Sequence, residues 1–431
     1  MSKTRAERSP LHNPAVAAAP ASGPSAPVAG DSVALVARQP IYGPATTVMA
    51  YELLYGKSPA ASGAALDTRH MTLKMVADAA LEIGLDRLAG GLPVHINYPR
   101  ELLVGPTAPS LHAERVVIEV VEEVPNDQEL VEGIRALRAR GHHIALDDYA
   151  AKRNTPALLD LVDIVKINVS QDSPEALARI VPELIRRGLR LIAQDVRTIE
   201  QFERCLEIGF EGFQGDFLQR PQTFLQQRVP SSRLATLRLV AALQNEDYSV
   251  EEVEQLLSQD VSMSYRVLRC INSSYYNLPR QVDSIRHAVV ILGLESLRQL
   301  CTLVALQGFD DRPPSLFVTA MARGRMCEQL GRLGGATDAG AYFITGLFSM
   351  LDVLTGMPIA RLTEELPLAP KVVRALVAEE GDIGAALKCA RAYERAAWEC
   401  SVYGSLSEHM VRAAYLEAVF WAEQAQALIE P

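Results

Sequence analysis

The chain has 431 residues, of which 48% are hydrophobic and 22% are charged, and this length allows two or three domains with substantial cores. Its formal net charge of -10 argues against broad binding to nucleic acids or anionic membranes, so we expect neither as a partner. The six cysteines form no CxxC pair, a pattern that indicates neither a disulfide framework nor a zinc site and favours a cytoplasmic protein.

The first 30 residues are rich in alanine, proline and serine and contain no uninterrupted apolar stretch like the core of a signal peptide. We interpret them as a disordered tail. No later segment contains about 18 apolar residues without a charge, so no transmembrane helix is predicted.

Short apolar runs alternate with longer amphipathic segments between residues 31 and 230. The region opens with "ALVARQPIYGPATTVMAYELLYG", in which a Gly-Pro turn separates two apolar runs, as in a β-hairpin. Six further runs are separated by helical patterns such as "DQELVEGIRALRARG", and this alternation predicts βα units. We therefore predict the α/β class and a TIM-like (β/α) barrel for this region.

Polar residues end most of the predicted strands. The run "IALDDYA" contains Asp147 and Asp148, a pair that alone more often marks a strand ending in solvent before a helix cap. In a TIM-like barrel, however, the C-terminal ends of the strands meet at the face that holds the site. Carboxylate and amide oxygens there suit Mg²⁺ or Mn²⁺, and phosphodiester hydrolysis is the chemistry they would serve. The other runs end at Asn97, Glu119, Lys166, Gln194 and Gln214.

From about residue 235 to 431 the pattern is nearly continuous amphipathic helix, in segments such as "SVEEVEQLLSQD" and "SMSYRVLRCINSSYY". No run in this region has the alternation of a strand. The second domain is therefore predicted to be all-helical.

The motifs "YELLYG", "HINYP", "VIEVVEE", "IALDDYA", "VKINVS", "IAQDVRT" and "GFQGDFLQRP" resemble, in this order, those of the EAL domain. The resemblance implies a barrel that, in active members, hydrolyses cyclic di-GMP to its linear dinucleotide with Mg²⁺ or Mn²⁺. It also implies that Asp148, the second aspartate of the pair, is a vestigial metal position and that Lys166 is the active-site lysine. The metal ligands implied in the same way are Glu52, Asn97, Glu119 and Asp147.

Four positions depart from the family pattern. Gln194 and Arg197, in "AQDVRT", stand where active members carry glutamates, and neither side chain can act as a base at neutral pH. Asn168 replaces an aspartate, and Gly56 falls where an arginine commonly contacts the ligand phosphate. Loss of a positioned base typically lowers a rate by about 10²- to 10⁴-fold.

We therefore expect an inactive phosphodiesterase homologue. No cofactor is expected, unless the site retains Mg²⁺ or Mn²⁺. The catalytic positions, vestigial in this interpretation, are Lys166, Gln194, Arg197 and Gln214.

A further hypothesis concerns Arg197. The substitutions leave fewer carboxylates in the site, and a guanidinium can bridge those that remain. We hypothesise that Arg197 pairs with Glu119 or Asp147 in place of a metal. The alternative is that it faces solvent along its helix.

The stretch "VSMSYRVLRCINSSYYNLPRQVDSIRHAVVILGLESLRQL" resembles the HDOD domain, a helical relative of HD phosphohydrolases that lacks their metal ligands. The place of the His-Asp pair reads Ser349, Met350, Leu351 and Asp352. The helical region contains only His287 and His409, too few imidazoles for a dinuclear centre. The two resemblances together imply an EAL-HDOD signalling protein that contacts protein partners through its helical domain.

Two alternatives stay open. One is an active cyclic di-GMP phosphodiesterase, in which another carboxylate such as Asp195 replaces the lost base. The other is an effector that binds cyclic di-GMP without hydrolysing it.

Overall fold

The structure is a computed structural model that describes residues 34–57, 85–105, 113–121, 127–149, 156–219, 231–243, 248–258, 261–272, 282, 284–306 and 312–429. The predicted tail, residues 1–30, lies outside these ranges, and so does the predicted end of the barrel at residue 230. We call residues 34–219 the barrel half and residues 231–429 the helical half.

Eight strands form a closed barrel in chain order, which confirms the predicted TIM-like fold. β1 (Ala34–Tyr42) runs antiparallel to β2 (Val48–Lys57), as the predicted hairpin requires, and also to the last strand. The other neighbouring strands are parallel. The remaining elements of the barrel half are α1 (Leu85–Ala89), β3 (Val94–Asn97), α2 (Arg100–Val104), β4 (Val116–Val121), α3 (Gln128–Ala139), β5 (His143–Asp147), α4 (Pro156–Leu159), β6 (Ile164–Asn168), α5 (Pro174–Arg186), β7 (Arg190–Gln194), α6 (Ile199–Ile208) and β8 (Gly212–Phe213).

The barrel interior is divided into an apolar and a polar layer, because residues two apart on a strand point to the same side. The polar side chains predicted for the site come two residues after the apolar ones on the same strands. The apolar layer is therefore a floor beneath a polar layer at the C-terminal face. The apolar layer consists of Ile41, Ala50, Val117, Ala145, Ile164 and Ile192. The polar positions that follow on the parallel strands are Glu52, Glu119, Asp147, Lys166 and Gln194.

The loop after β7 turns sharply before α6 begins. Asp195 has a φ of 55°, in the left-handed region that few non-glycine residues adopt. Thr198 caps α6 by accepting a hydrogen bond from the backbone N–H of Gln201 at 3.2 Å. This turn places Asp195 and Arg197 at the mouth of the barrel.

The described residues of the helical half contain no strand, as predicted. No described helix is both long enough and apolar enough to cross a membrane. The helices are α7 (Ser231–Leu243), α8 (Val250–Ser258), α9 (Val261–Ile271), α10 (Ile285–Leu292), α11 (Leu294–Leu306), α12 (Pro314–Leu333), α13 (Ala339–Phe348), α14 (Leu351–Thr355), α15 (Ile359–Glu365), α16 (Pro370–Ala378), α17 (Gly381–Glu394) and α18 (Glu408–Ile429), with a short 3₁₀ turn at Trp398–Cys400.

Helix α12 is the centre of the helical half and packs against α13, α17 and α18. Its contact with α13 depends on glycine, since a Cβ at Gly346 would lie 2.5 Å from the carbonyl oxygen of Arg323. Helices α17 and α18 also contact β1 of the barrel half.

The two halves meet where β1 and β2 face α18 and the 3₁₀ turn. The buried guanidinium of Arg38 lies 2.6 Å from Glu423 Oε1 and donates to the carbonyl oxygen of Leu88 at 2.6 Å. The backbone N–H of Arg38 donates to the hydroxyl of Tyr415 at 3.2 Å. A buried ion pair that also has hydrogen bonds is costly to break, so this contact holds the two halves together.

Trp398 packs directly on the backbone of Gly56. A Cβ built at Gly56 would lie 1.8 Å from Trp398 Nε1, a distance at which no side chain fits. The ring of Trp398 also meets Tyr393 edge to face, with centroids 5.2 Å apart. Glycine at position 56 is therefore required by the contact between the halves.

We expect Gly56→Ala to lower the free energy of unfolding by about 1–3 kcal/mol, the usual cost of forcing extra atoms into a packed site. The matched control is Gly43→Ala in the same hairpin, where a Cβ would lie 3.8 Å from its nearest neighbour. This control should change the stability by less than about 1 kcal/mol.

Denaturant unfolding of both variants tests the expectation. A double-mutant cycle with Trp398→Ala should be strongly non-additive for Gly56→Ala and additive for Gly43→Ala. Equal effects of the two glycine substitutions would contradict the contact.

Candidate active site

The ammonium of Lys166 is the centre of the polar layer. This side chain, on β6, is completely buried, and its Nζ lies 2.6 Å from Glu119 Oε1 and 2.7 Å from Glu52 Oε2. Asp147 Oδ1 is 3.4 Å from the same nitrogen. One cation thus joins carboxylates from β2, β4 and β5, three of the positions that the sequence predicted to converge.

Side-chain amides from three further strand ends orient the carboxylates. Asn97 donates to Glu52 Oε1 at 3.1 Å, and Gln214 donates to Glu52 Oε2 at 2.6 Å. Gln194 donates to Asp147 Oδ1 at 2.9 Å. The oxygens of Glu52 and Asp147 that face Lys166 are therefore held in place by hydrogen bonds from these amides.

His95 belongs to the same network but was not among the predicted site residues. Its Nδ1 lies 2.8 Å from Glu119 Oε1, and burial together with nearby Lys166 lowers the pKa of His95 to about 3. The ring is therefore neutral, and its Nδ1 shares a hydrogen bond with the side chain of Glu119. The sequence signal was the alternation in "VHIN", which puts His95 on the same side of β3 as Asn97.

Burial and mutual repulsion set the protonation of the carboxylates. Burial and the charge of Glu52 raise the pKa of Glu119 to about 8, and burial and Glu119 raise the pKa of Asp147 to about 7. Burial would also raise the pKa of Glu52, but Lys166 and the hydrogen bond from Gln214 hold it below its usual value. The charged form of Glu52 is thus favoured beside Lys166, while burial and repulsion favour the protonated forms of the other two carboxyls.

The residues fit a divalent cation. Oxygens of Glu52, Glu119 and Asp147 all lie within 4.8 Å of one another, and they are the only group of this kind among the described residues. Lys166 uses one oxygen of each carboxylate, while the second oxygen of Glu119 is buried without a hydrogen-bond partner. The side-chain oxygens of Asn97 and Gln194 are also buried without a partner within the described part of the chain. Such oxygens are the ligands that Mg²⁺ and Mn²⁺ take.

The hypothesis that Arg197 replaces a metal is wrong. Its Nε and Nη2 donate to the two oxygens of Asp195 at 2.9 and 2.8 Å, and its side chain is 52% exposed. The reason is local, since Asp195 is two residues away and its left-handed backbone turns the carboxylate toward the guanidinium. The cation that lies between Glu119 and Asp147 is Lys166.

Two other predicted residues line the mouth without entering the network. Asp148 is exposed, with a φ of 52°, and Asn168 Oδ1 accepts a hydrogen bond from the backbone N–H of Ser170. Both line a cavity of about 590 Å³ above the polar layer. The structure thus brings Glu52, Asn97, Glu119, Asp147, Lys166, Gln194 and Gln214 together and leaves Asp148 and Arg197 at the edge.

In the helical half, Ser349, at the predicted place of the His-Asp pair, contacts a buried ion pair. Arg323 is buried, donates to both oxygens of Glu394 at 2.6–3.1 Å and to the hydroxyl of Ser349 at 2.9 Å. Asp352 accepts from the backbone N–H of Val353 at 2.8 Å. A guanidinium in this position gives the cluster a structural role.

Comparisons with known proteins agree with this division. Residues 75–221 match the family model of the EAL domain, and residues 229–358 match that of the HDOD domain. The chain therefore joins an EAL domain to an HDOD domain, which confirms the predicted pair.

Two relatives align with this chain along nearly their whole length, and one solved structure aligns with part of it. The uncharacterized protein YuxH of Bacillus subtilis is 28% identical over 90% of this chain and 97% of its own length. The Vibrio cholerae protein named cyclic di-GMP phosphodiesterase CdgJ is 29% identical over 91% of this chain and 93% of its own length. A solved structure of Klebsiella pneumoniae BlrP1 with calcium and cy-diGMP is 26% identical, covers 43% of this chain and 55% of that chain, and has a TM-score of 0.38.

Lys166→Met should lower the free energy of unfolding by about 3–5 kcal/mol in the absence of metal, because it leaves the charge of Glu52 buried without a partner. The matched control is Arg190→Met on β7, which breaks an exposed ion pair with Glu211 at 3.1 Å. That loss should cost at most about 1 kcal/mol.

Denaturant unfolding with a chelator present measures both effects. Adding Glu52→Gln to Lys166→Met should restore part of the stability, because the buried charge is then gone. A Lys166→Met protein as stable as the control would contradict the central place of the lysine.

Proposed function

We propose that this protein is a cyclic di-GMP signalling protein whose barrel binds a divalent cation and the dinucleotide but does not hydrolyse it appreciably. The observation that carries the proposal is the side chain of Gln194. It stands at the end of β7, inside the polar layer, and donates a hydrogen bond to Asp147 at 2.9 Å. An amide in this position cannot accept the proton of an attacking water.

The rest of the site is suited to binding. Glu52, Glu119, Asp147 and Asn97 would hold Mg²⁺ or Mn²⁺, and Lys166 would keep their oxygens in position. A bound cation would supply charge for contact with a phosphodiester oxygen and polarise it. The cavity of about 590 Å³ above them lies within the range of about 300–1,000 Å³ that is usual for small-molecule sites.

Without a positioned base, the expected loss of rate is about 10²- to 10⁴-fold relative to an active enzyme. Asp195, the alternative base, is a poor substitute. Its Oδ1 accepts from Arg197, and its Oδ2 accepts from both Arg197 and Ser170 at 2.8 and 2.6 Å. Hydrogen bonds to both oxygens stabilise the charged form of this carboxylate, so it is a weak base.

A second candidate function is hydrolysis of cyclic di-GMP. It is favoured by the intact carboxylate triad and by similarity to a Vibrio cholerae protein named as a cyclic di-GMP phosphodiesterase. In that case a water network would take over the proton that Gln194 cannot accept. The same experiment separates the two candidates.

The helical half is proposed to carry the output by binding a protein partner. The ion pair of Arg323 and Glu394 lies beside Ser349, where the HDOD resemblance puts the His-Asp pair, and this supports a role without hydrolysis. Exposed apolar side chains on α9 and α10, Tyr265 at 65% and Val290 at 79%, are of the kind that protein contacts use.

Purified full-length protein, incubated with Mn²⁺ and cyclic di-GMP, should bind the dinucleotide and release no measurable linear product. Calorimetry measures binding, and chromatography of the nucleotides measures hydrolysis. Glu52→Ala should lose metal-dependent binding, whereas Glu211→Ala, an exposed residue outside the polar layer, should not.

Linear dinucleotide that forms in a metal-dependent manner and disappears in Glu52→Ala would establish the second candidate instead. Absence of binding in the wild-type protein would contradict both.

A further inference from the structure

The cavity above the polar layer has walls from both halves of the chain. Its barrel side includes Glu52, Asp147 and Gln194, and its helical side includes Thr319 of α12 and Arg395 directly after α17. The site at the barrel mouth is thus covered by the helical half, and a ligand of the carboxylates would meet both.

The segment that follows α17 is fixed to the core of the helical half on one side. Glu394, its last helical residue, is held by both oxygens to the buried guanidinium of Arg323. The chain then turns at Ala396, which has a φ of 54°, and lays Trp398 on Gly56. Arg395 stands between these two fixed points, so its backbone position is well determined.

Position 56 matters because the EAL resemblance puts a phosphate-contacting arginine there. In this protein Trp398 fills the space that any side chain at Gly56 would need. The same short segment that excludes an arginine from β2 brings another arginine, Arg395, to the wall of the cavity.

The other two arginines that line this cavity already form ion pairs. Arg38 pairs with Glu423 and with the carbonyl oxygen of Leu88, and Arg197 pairs with Asp195. The side chain of Arg395 is exposed and has no hydrogen bond or ion pair with the described residues of the chain. Its guanidinium is therefore available to an anionic ligand, and its planar fork of donors suits a phosphate.

We propose that Arg395 of the helical half binds a phosphate of the cyclic dinucleotide held at the barrel mouth, so that one ligand contacts both domains. This inference rests on the proposed binding function and adds a ligand-binding residue outside the EAL domain. A dinucleotide bound at the barrel mouth would then contact the segment from α17 to Trp398 directly. The ligand would in this way be linked to the helical half, which is proposed to carry the output.

The test is calorimetric titration of the full-length protein with cyclic di-GMP in the presence of Mn²⁺. Arg395→Ala should weaken binding by about tenfold, the usual effect of losing one charge-assisted hydrogen-bonded contact. Arg395→Lys should recover part of the affinity, since it keeps the charge but not the fork. The matched control is Arg374→Ala, an exposed arginine on α16 that does not line the cavity, which should bind like the wild type.

Equal affinity of Arg395→Ala and the wild type would overturn this inference and leave the proposed function standing. Equal weakening by Arg374→Ala would also overturn it, since the effect would then be one of overall charge. A wild-type protein that binds no cyclic di-GMP would overturn the inference and the proposed function together. Because Arg395 is exposed, all three variants should unfold at the wild-type denaturant midpoint.

Discussion

The site is organised by one buried charge, the ammonium of Lys166. Completely removed from water, it lies within 3.4 Å of three carboxylates that come from three different strands. Such a cation is tolerable only when its partners are close and hydrogen-bonded, so the strand ends must stay in this arrangement. The lysine also leaves the second oxygen of Glu119 unused. The site is thereby pre-formed for a metal without depending on one for its geometry.

A second constraint links this site to the helical half. Trp398 packs on Gly56, at the end of the strand that carries Glu52, and Arg38 on the neighbouring strand is held by Glu423. The helical half therefore does more than follow the barrel in the chain, since it forms part of the cavity wall. The segment that holds Trp398 against Gly56, and so leaves no room for a side chain there, also brings Arg395 to the cavity wall.

Much of the fold and part of the site could be predicted from the sequence. The strand ends could be predicted because side chains alternate between the two faces of every strand. Polar residues such as Asn97 and Lys166 interrupt the apolar runs near the C-terminal ends of their strands. Arg197 was assigned wrongly because its partner is decided by the left-handed backbone of Asp195, which no pattern of residue types reveals. The contact of Trp398 with Gly56 joins distant parts of the chain, and a single sequence carries no signal for it.

The central claim is that the site binds but does not cut because an amide stands where a base is needed. The most direct measurement is the rate of linear dinucleotide formation from cyclic di-GMP with Mn²⁺ by Gln194→Glu beside the wild type. The account predicts no measurable product from the wild type and metal-dependent product from Gln194→Glu, lost again when Glu52→Ala is added. A wild-type rate equal to or above that of Gln194→Glu would contradict it.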